Sequence, residues 1–176
     1  LYEDRSGHMW LGTDSGVVRY DGQRFQTVRS PYLTSVTAIV EDCDGYFWFA
    51  ALHHVVRYAP GDIAPKCRVR RVIADQIYQD PESVELATEA HQIIFEYKGI
   101  SCRTHPEHML YTHRLRGYDS EWQAAPDREM RAYYRELPPG EYTFEVRAID
   151  RDFNASATAA VSLTINPDPV SYTHLR

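Results

Sequence analysis

Two runs early in the chain, His8-Met9-Trp10-Leu11-Gly12 and Tyr46-Phe47-Trp48-Phe49-Ala50, are apolar at consecutive positions instead of alternating. Unbroken apolarity over so short a length predicts strands covered on both faces. Each run follows a turn, Asp4-Arg5-Ser6-Gly7 or Asp42-Cys43-Asp44-Gly45, in which an acidic side chain can bond the backbone ahead and a glycine is free to take positive φ. Gly16–Tyr20 and Val55–Tyr58 read as the following strands, Asp21-Gly22 as a turn before Phe25, and residues 35–40 as an inner strand between the two runs.

The similarity of these runs is a repeat. Glu3 and Glu41, Trp10 and Trp48, and Tyr20 and Tyr58 each lie 38 positions apart, so the match has no internal gap. A period of this size marks architectures in which one unit cannot bury its apolar face alone and stacks on its neighbours. Propellers need roughly four to eight blades, so a chain carrying about one and a half holds only part of one.

Ala59-Pro60-Gly61-Asp62-Ile63-Ala64-Pro65 breaks any ladder and marks a boundary. Beyond it, short strands punctuated by turns are predicted over residues 68–73, 93–97, 109–115, 131–137, 142–150 and 157–165. The alternation is plainest in Tyr142-x-Phe144-x-Val146-x-Ala148, with Thr143, Glu145 and Arg147 on the other face. About 100 residues with this cadence predict an antiparallel sandwich. Gly140 and Tyr142, after Pro138-Pro139, predict a tyrosine corner in which the phenol turns back to the upstream backbone.

Composition narrows the function. The 176 residues carry a net charge of -6 with acids and bases interspersed, which excludes a concentrated phosphate-binding stripe, so no nucleic-acid partner is expected. The most basic stretch, from Lys66 to Arg71, alternates with Cys67 and Val69 and reads as a strand with one wet face. Cys43, Cys67 and Cys102 are widely spaced; they are expected to be buried free thiols instead of a disulfide framework. With no apolar run of about 18 residues, no membrane span or export leader is expected within the chain.

Candidate chemistry is sparse. His105-Pro106-Glu107-His108, with His113 nearby, invites a metal site, but the proline disfavours helical ligand spacing and a solvated loop is expected. His53 and His54, replacing turn residues of the first repeat, are weak ligand-binding candidates. There is no Gly-x-Ser-x-Gly elbow and no phosphate-binding glycine loop, and the pairs Asp42/Asp44 and Asp150/Asp152 read as turn residues. No catalytic residue, metal or cofactor is therefore expected. Trp10 and Trp48 are expected to pack between blades, and Trp122 to close a loop onto the sandwich core.

The repeat Glu-Asp-x-x-Gly-x-x-Trp, followed by Gly-Val-x-Arg-Tyr in its first copy, resembles the two-component regulator propeller repeat of bacterial sensor receptors. The second region resembles the three-tyrosine (Y_Y_Y) domain that follows such propellers, through Phe95-x-Tyr97, Tyr111-x-x-Arg114-Leu115-x-Gly117-Tyr118-Asp119-x-x-Trp122 and Tyr133-x-x-x-Leu137-x-Pro139-Gly140-x-Tyr142. The second repeat departs by having Ala50, Ala51 and His54 where the first has Gly12, Thr13 and Gly16, as suits a last blade.

The resemblance implies an all-β chain: a partial β-propeller (1–60), then an immunoglobulin/fibronectin-III-like antiparallel β-sandwich (61–166), with 167–176 as a tail foreign to the fold. It implies a non-catalytic, periplasmic sensor and signal-relay fragment of a transmembrane receptor. A saccharide ligand would bind blades outside this chain, the sandwich would pair two copies, and the membrane would be reached only through segments outside the chain. The alternative is a carbohydrate-binding or adhesive accessory module of an extracellular polysaccharide-degrading enzyme.

Overall fold

The computed structural model describes residues 1–87, 91–126 and 129–167; the tail expected over 167–176 falls, apart from Pro167, outside the described residues. The chain divides into two compact units. The first comprises residues 1–63 together with Arg151–Asn154, and the second residues 64–150 and those from Ala155 onward.

The first unit contains two antiparallel sheets. Strands β1 (Tyr2–Glu3), β2 (Met9–Thr13), β3 (Gly16–Tyr20) and β4 (Phe25–Val28) form one in the order β1-β2-β3-β4. Strands β5 (Ala38–Glu41), β6 (Phe47–Ala50) and β7 (Val55–Tyr58) form the other in the order β5-β6-β7. Their common core is Trp10, Val17, Val28, Leu33, Val36, Phe47, Phe49 and Tyr58. Trp10 is fully buried, with Phe47 at 4.3 Å and Phe49 at 5.8 Å between ring centroids.

The inner strand expected over 35–40 starts later, at Ala38. The preceding residues are bound elsewhere: Ser35 and Val36 donate their N–H groups to the carbonyls of Asp14 and Thr13, closing the first sheet's β2–β3 turn.

The second unit is a two-sheet sandwich. One sheet runs β10-β16-β15-β12-β13, from β10 (Ser83–Leu86), β12 (Leu110–Arg116), β13 (Gln123–Ala124), β15 (Gly140–Ile149) and β16 (Ala159–Ile165). The other runs β14-β11-β8-β9, from β8 (Lys66–Ile73), β9 (Ile77–Gln79), β11 (Gln92–Ile100) and β14 (Arg131–Arg135). All pairings are antiparallel except β10 with β16, which makes the first sheet mixed. Short β9, β10 and β13 were not anticipated, because each offers at most two apolar residues, too few for a period to show.

Inward-facing side chains meet between the sheets. Phe95 of β11 stacks on Phe144 of β15 at 4.0 Å and 8°. Tyr97, Tyr134 and His113 ring this stack. Such aromatic pairs contribute about 0.5–1.5 kcal/mol beyond the area they bury. At the corner before β15, the Tyr142 hydroxyl donates to the Pro138 carbonyl at 2.8 Å.

His113 is the exception in this core. It is 7% exposed, and its Nδ1 has no hydrogen-bond partner among the described residues. Burial pushes its pKa below the ordinary histidine value, only partly offset by the Asp119 carboxylate. A histidine with a depressed folded pKa takes up protons more readily when unfolded, so the sandwich loses stability as pH falls below about 6.5, by at most about 1.4 kcal/mol per unit. His113→Leu is expected to flatten this slope, measured by urea unfolding at pH 5 to 7.5 and followed through the Leu115 and Leu163 methyl resonances. An unchanged slope would show that other groups carry the dependence.

Candidate functional site

The first unit is organised around a duplicated clasp. In the first copy Asp4 Oδ1 accepts the backbone N–H groups of Ser6 and His8, each at 2.9 Å, while Oδ2 accepts the Trp10 indole N–H at 2.7 Å. In the second, Asp42 Oδ1 accepts from Asp44 at 3.0 Å and Tyr46 at 2.9 Å, and Oδ2 accepts from the Trp48 indole at 2.8 Å. Gly7 and Gly45 sit at φ of +81° and +80°, a conformation that side-chain-bearing residues rarely adopt. An arginine completes each copy, Arg19 lying 4.8 Å from the Trp10 ring and Arg57 5.9 Å from that of Trp48.

The electrostatics follow the same plan. Burial raises the Asp4 pKa, but the Trp10 indole, the His8 N–H and the positive charge of Arg19 outweigh it and hold the carboxyl below its usual value. Asp42 is likewise lowered, chiefly by the Trp48 indole.

The copies differ in what covers them. Trp10 is packed under the neighbouring sheet, whereas Trp48 is 36% exposed on the far face of β5-β6-β7, beside Val40 at 54% and Val55 at 71%. The expected packing of Trp48 between two sheets is therefore present on one side only. Arg57 lies over Tyr46 at 3.9 Å on that face. The glycine missing from the second copy has a steric cause: a Cβ at Gly12 would lie 2.4 Å from the Val36 carbonyl oxygen. Ala50 occupies the matching position in the second copy.

His53 and His54 are both exposed in the turn between β6 and β7, and His54 meets only the Tyr32 ring edge among the ring contacts described, at 5.1 Å. Among the described residues neither joins a group of three or more His, Cys, Asp or Glu side chains. His105 and His108 lie exposed on a single 3-10 turn, Pro106–His108, while His113 is inside the sandwich. Among the described residues no group of three or more His, Cys, Asp or Glu side chains is placed to hold a metal ion.

Sequence reasoning missed the role of Arg151–Asn154. Read as a turn, Asp152 is in fact 7% exposed, accepting the Tyr58 hydroxyl and, at 2.9 Å, the Gly61 N–H. Burial raises its pKa, partly offset by Gly61 and Arg19. Asn154 donates to the Gly61 carbonyl at 2.7 Å, and Arg19 donates to the Asp152 carbonyl at 3.2 Å. Phe153, at φ +65°, stacks on His8 at 5.6 Å. No local pattern marks these four residues, because their partners lie more than 90 positions away.

In the second unit the tyrosines divide between the two faces. The Tyr111 hydroxyl accepts the Gly99 N–H and donates to the Pro106 carbonyl, both at 3.0 Å, tying β11 to the 3-10 turn. Tyr97 is buried, and its hydroxyl donates to the Arg131 carbonyl at 3.3 Å. Tyr133 is 45% exposed; its neighbour Tyr134 takes the inward position and donates to Asp119 at 2.7 Å. Asp119 Oδ2 also accepts the Leu115 N–H at 2.6 Å, so one carboxylate fixes the loop after β12. Trp122 lies on the outer face between the guanidinium groups of Arg114 and Arg147, at 4.8 and 4.3 Å, not on the core as expected.

Residues 103–167 match the Y_Y_Y domain. The matched region holds Tyr111, Trp122, Tyr133, Gly140 and Tyr142 and leaves out Tyr97. No curated protein matches the chain in sequence.

Two extracellular domains are among the solved structures that share its fold. The extracellular domain of a proposed hybrid two-component system from B. thetaiotaomicron superposes with a TM-score of 0.61 at 18% identity, covering 94% of this chain and 26% of that one. The extracellular domain of a proposed one-component system from the same organism gives 0.51 at 16% identity, covering 99% of this chain and 30% of that one. The chain thus spans less than a third of either neighbour. At these identities the likeness is one of fold.

The thiols differ from expectation. Cys67 alone packs against the sandwich core, and burial pushes its pKa up to about 12; Cys43 and Cys102 are exposed, and all three are free.

Breaking the first clasp leaves a buried indole N–H and two backbone N–H groups without their acceptor. Asp4→Ala is expected to destabilise the first unit by about 1–3 kcal/mol, while Asp42→Ala, on the exposed copy, has a visibly smaller effect. Because the folded carboxyl titrates low, Asp4 stabilises above about pH 4, and that stability is lost as pH falls through its lowered folded value. Urea unfolding at pH 7 and pH 3, read by tryptophan fluorescence, checks both statements.

Proposed function

We propose that this chain is a non-catalytic, extracytoplasmic fragment of a bacterial transmembrane receptor of the two-component type. It comprises closing blades of a propeller and a Y_Y_Y sandwich that relays a change in the propeller toward the membrane. The reading rests chiefly on the unequal burial of the two clasps. One sheet of the repeat is covered by the next, and the next presents the same tryptophan on an apolar face of the kind a further repeat covers. The Y_Y_Y match and the fold shared with extracellular domains of signalling systems support the same reading. Ligand binding then belongs to other blades, and the sandwich responds by a shift in population between two arrangements.

Exposed Trp48, with Tyr46 and Arg57 beside it, favours a second reading: an aromatic platform for sugars in an accessory module of a polysaccharide-degrading enzyme.

Accessibility of the open face separates the two. In a background with Cys43 and Cys102 changed to serine, Val55→Cys is expected to react readily with a maleimide in this chain; Cys67, with its thiol pKa raised, stays silent. In the longer product of the same gene the reaction is expected to slow by at least about tenfold, since an added sheet removes the site from solvent. Equal rates in both, or tight binding of neutral oligosaccharides to this chain by calorimetry, would favour the sugar platform.

A further inference from the structure

The outer face of the β14-β11-β8-β9 sheet carries a cleft of about 400 Å³ that the relay function does not use. Cross-strand register builds it. Glu96 of β11 stands opposite Arg71 of β8 and Arg131 of β14, so the three side chains share one outward-facing row. The Glu96 carboxylate forms an ion pair on each side, with Arg71 Nε at 2.7 Å, which donates no directed hydrogen bond to it, and with Arg131 Nη2 at 2.6 Å. Its side chain is 10% exposed, whereas those of Arg71 and Arg131 are 38% and 52% exposed.

Each guanidinium has five N–H donors, more than are turned to Glu96 and, for Arg131, to Tyr133. Arg70 and Lys98 line the same cleft, and neither has an ion-pair partner among the described residues. Tyr133 supplies an exposed ring at one wall, and Glu129 is the second carboxylate. Four cations thus face two carboxylates, one of them sequestered, in a chain of net charge -6.

An ion-pair ladder that served only to cover the sheet would pair its charges off. Here the buried carboxylate instead lies between two planar guanidinium groups, next to two further cations. Fixed guanidinium forks match the geometry of carboxylate, sulfate and phosphate groups, and holding them in advance lowers the ordering cost of binding.

We propose that this cleft is a binding site for a soluble ligand carrying two oxyanion groups, one met by the Arg71–Arg131 pair and the other by Arg70 and Lys98. Glu96 acts as a positioning residue for the pair. The basic run from Lys66 to Arg71, read from sequence as merely the wet face of a strand, supplies half of the cations. The site lies wholly within the second unit and stands apart from the receptor reading above.

Calorimetric titration of the chain with sodium pyrophosphate, sodium phosphate and maltose tests the proposal. Pyrophosphate, with two linked oxyanions, is expected to bind at least about tenfold more tightly than phosphate, to weaken as salt is raised, and maltose to give no heat. The Arg70→Gln/Lys98→Gln variant breaks no ion pair among the described residues and is expected to lose at least about tenfold in pyrophosphate affinity, while Arg116→Gln on the opposite sheet changes nothing.

Glu96→Gln gives the sharpest outcome. It removes a negative charge from the cleft, so diffuse attraction predicts tighter binding; loss of the fixed arginine geometry predicts weaker binding despite the added positive charge. Tighter binding in that variant, absence of pyrophosphate heat in the parent, or equal affinity in the Arg70/Lys98 variant would each overturn the proposal. So would co-sedimentation with phosphatidylglycerol vesicles that pyrophosphate fails to compete, which would make the face a lipid-surface contact instead.

Discussion

A single carboxylate serving three donors is the constraint on which the first unit depends. Asp4 and Asp42 each turn the chain by accepting two backbone N–H groups and then fix the tryptophan six residues on by accepting its indole N–H. The turn and the core are thereby coupled: the residue that reverses the backbone also sets the orientation of the largest side chain in the sheet. Trp10 so held becomes the surface on which Phe47, Phe49 and Tyr58 of the next sheet assemble. Spacing between the acid, the glycine and the tryptophan cannot drift without losing one of the three bonds, and it is the same in both copies.

The sandwich solves a different problem with similar means. Its core is a stack of rings that takes in His113, and on its outer faces carboxylates gather arginines. Glu96 does so on one sheet, and Glu145, pairing with Arg114 at 2.6 Å and Arg116 at 3.5 Å, does so on the other. The two differ in what the arginines do next. Arg114, with Arg147, closes over Trp122 and so spends its open side on an aromatic ring. Arg71 and Arg131 border a cleft instead.

What could be read beforehand follows from the range of each interaction. The turn signals, the strands Gly16–Tyr20 and Val55–Tyr58 and the alternation of β15 are local, and they stand in the structure as the pattern implies. The tyrosine corner was legible for the same reason, its donor and acceptor being four residues apart. Faces were harder. Of adjacent Tyr133 and Tyr134, nothing local says which points inward, and the register of β14 against β11, pairing Tyr134 with Ile93, decides it. Trp122 looked like core because tryptophans usually are; its position follows from two arginines supplied by other strands. The cleft around Glu96 was invisible because it exists only once β8, β11 and β14 are side by side.

Arg151–Asn154 leave β15, complete the first unit and return to begin the segment leading to β16. The first unit is therefore discontinuous: it is written in two separate stretches of sequence with most of the sandwich encoded between them. A single cut after Ile63 does not yield the first unit as one peptide, since Asp152, the acceptor for Tyr58 and Gly61, stays on the other fragment. Moving residues 1–63 to another context without Arg151–Asn154 would therefore leave Tyr58 and Gly61 without their acceptor.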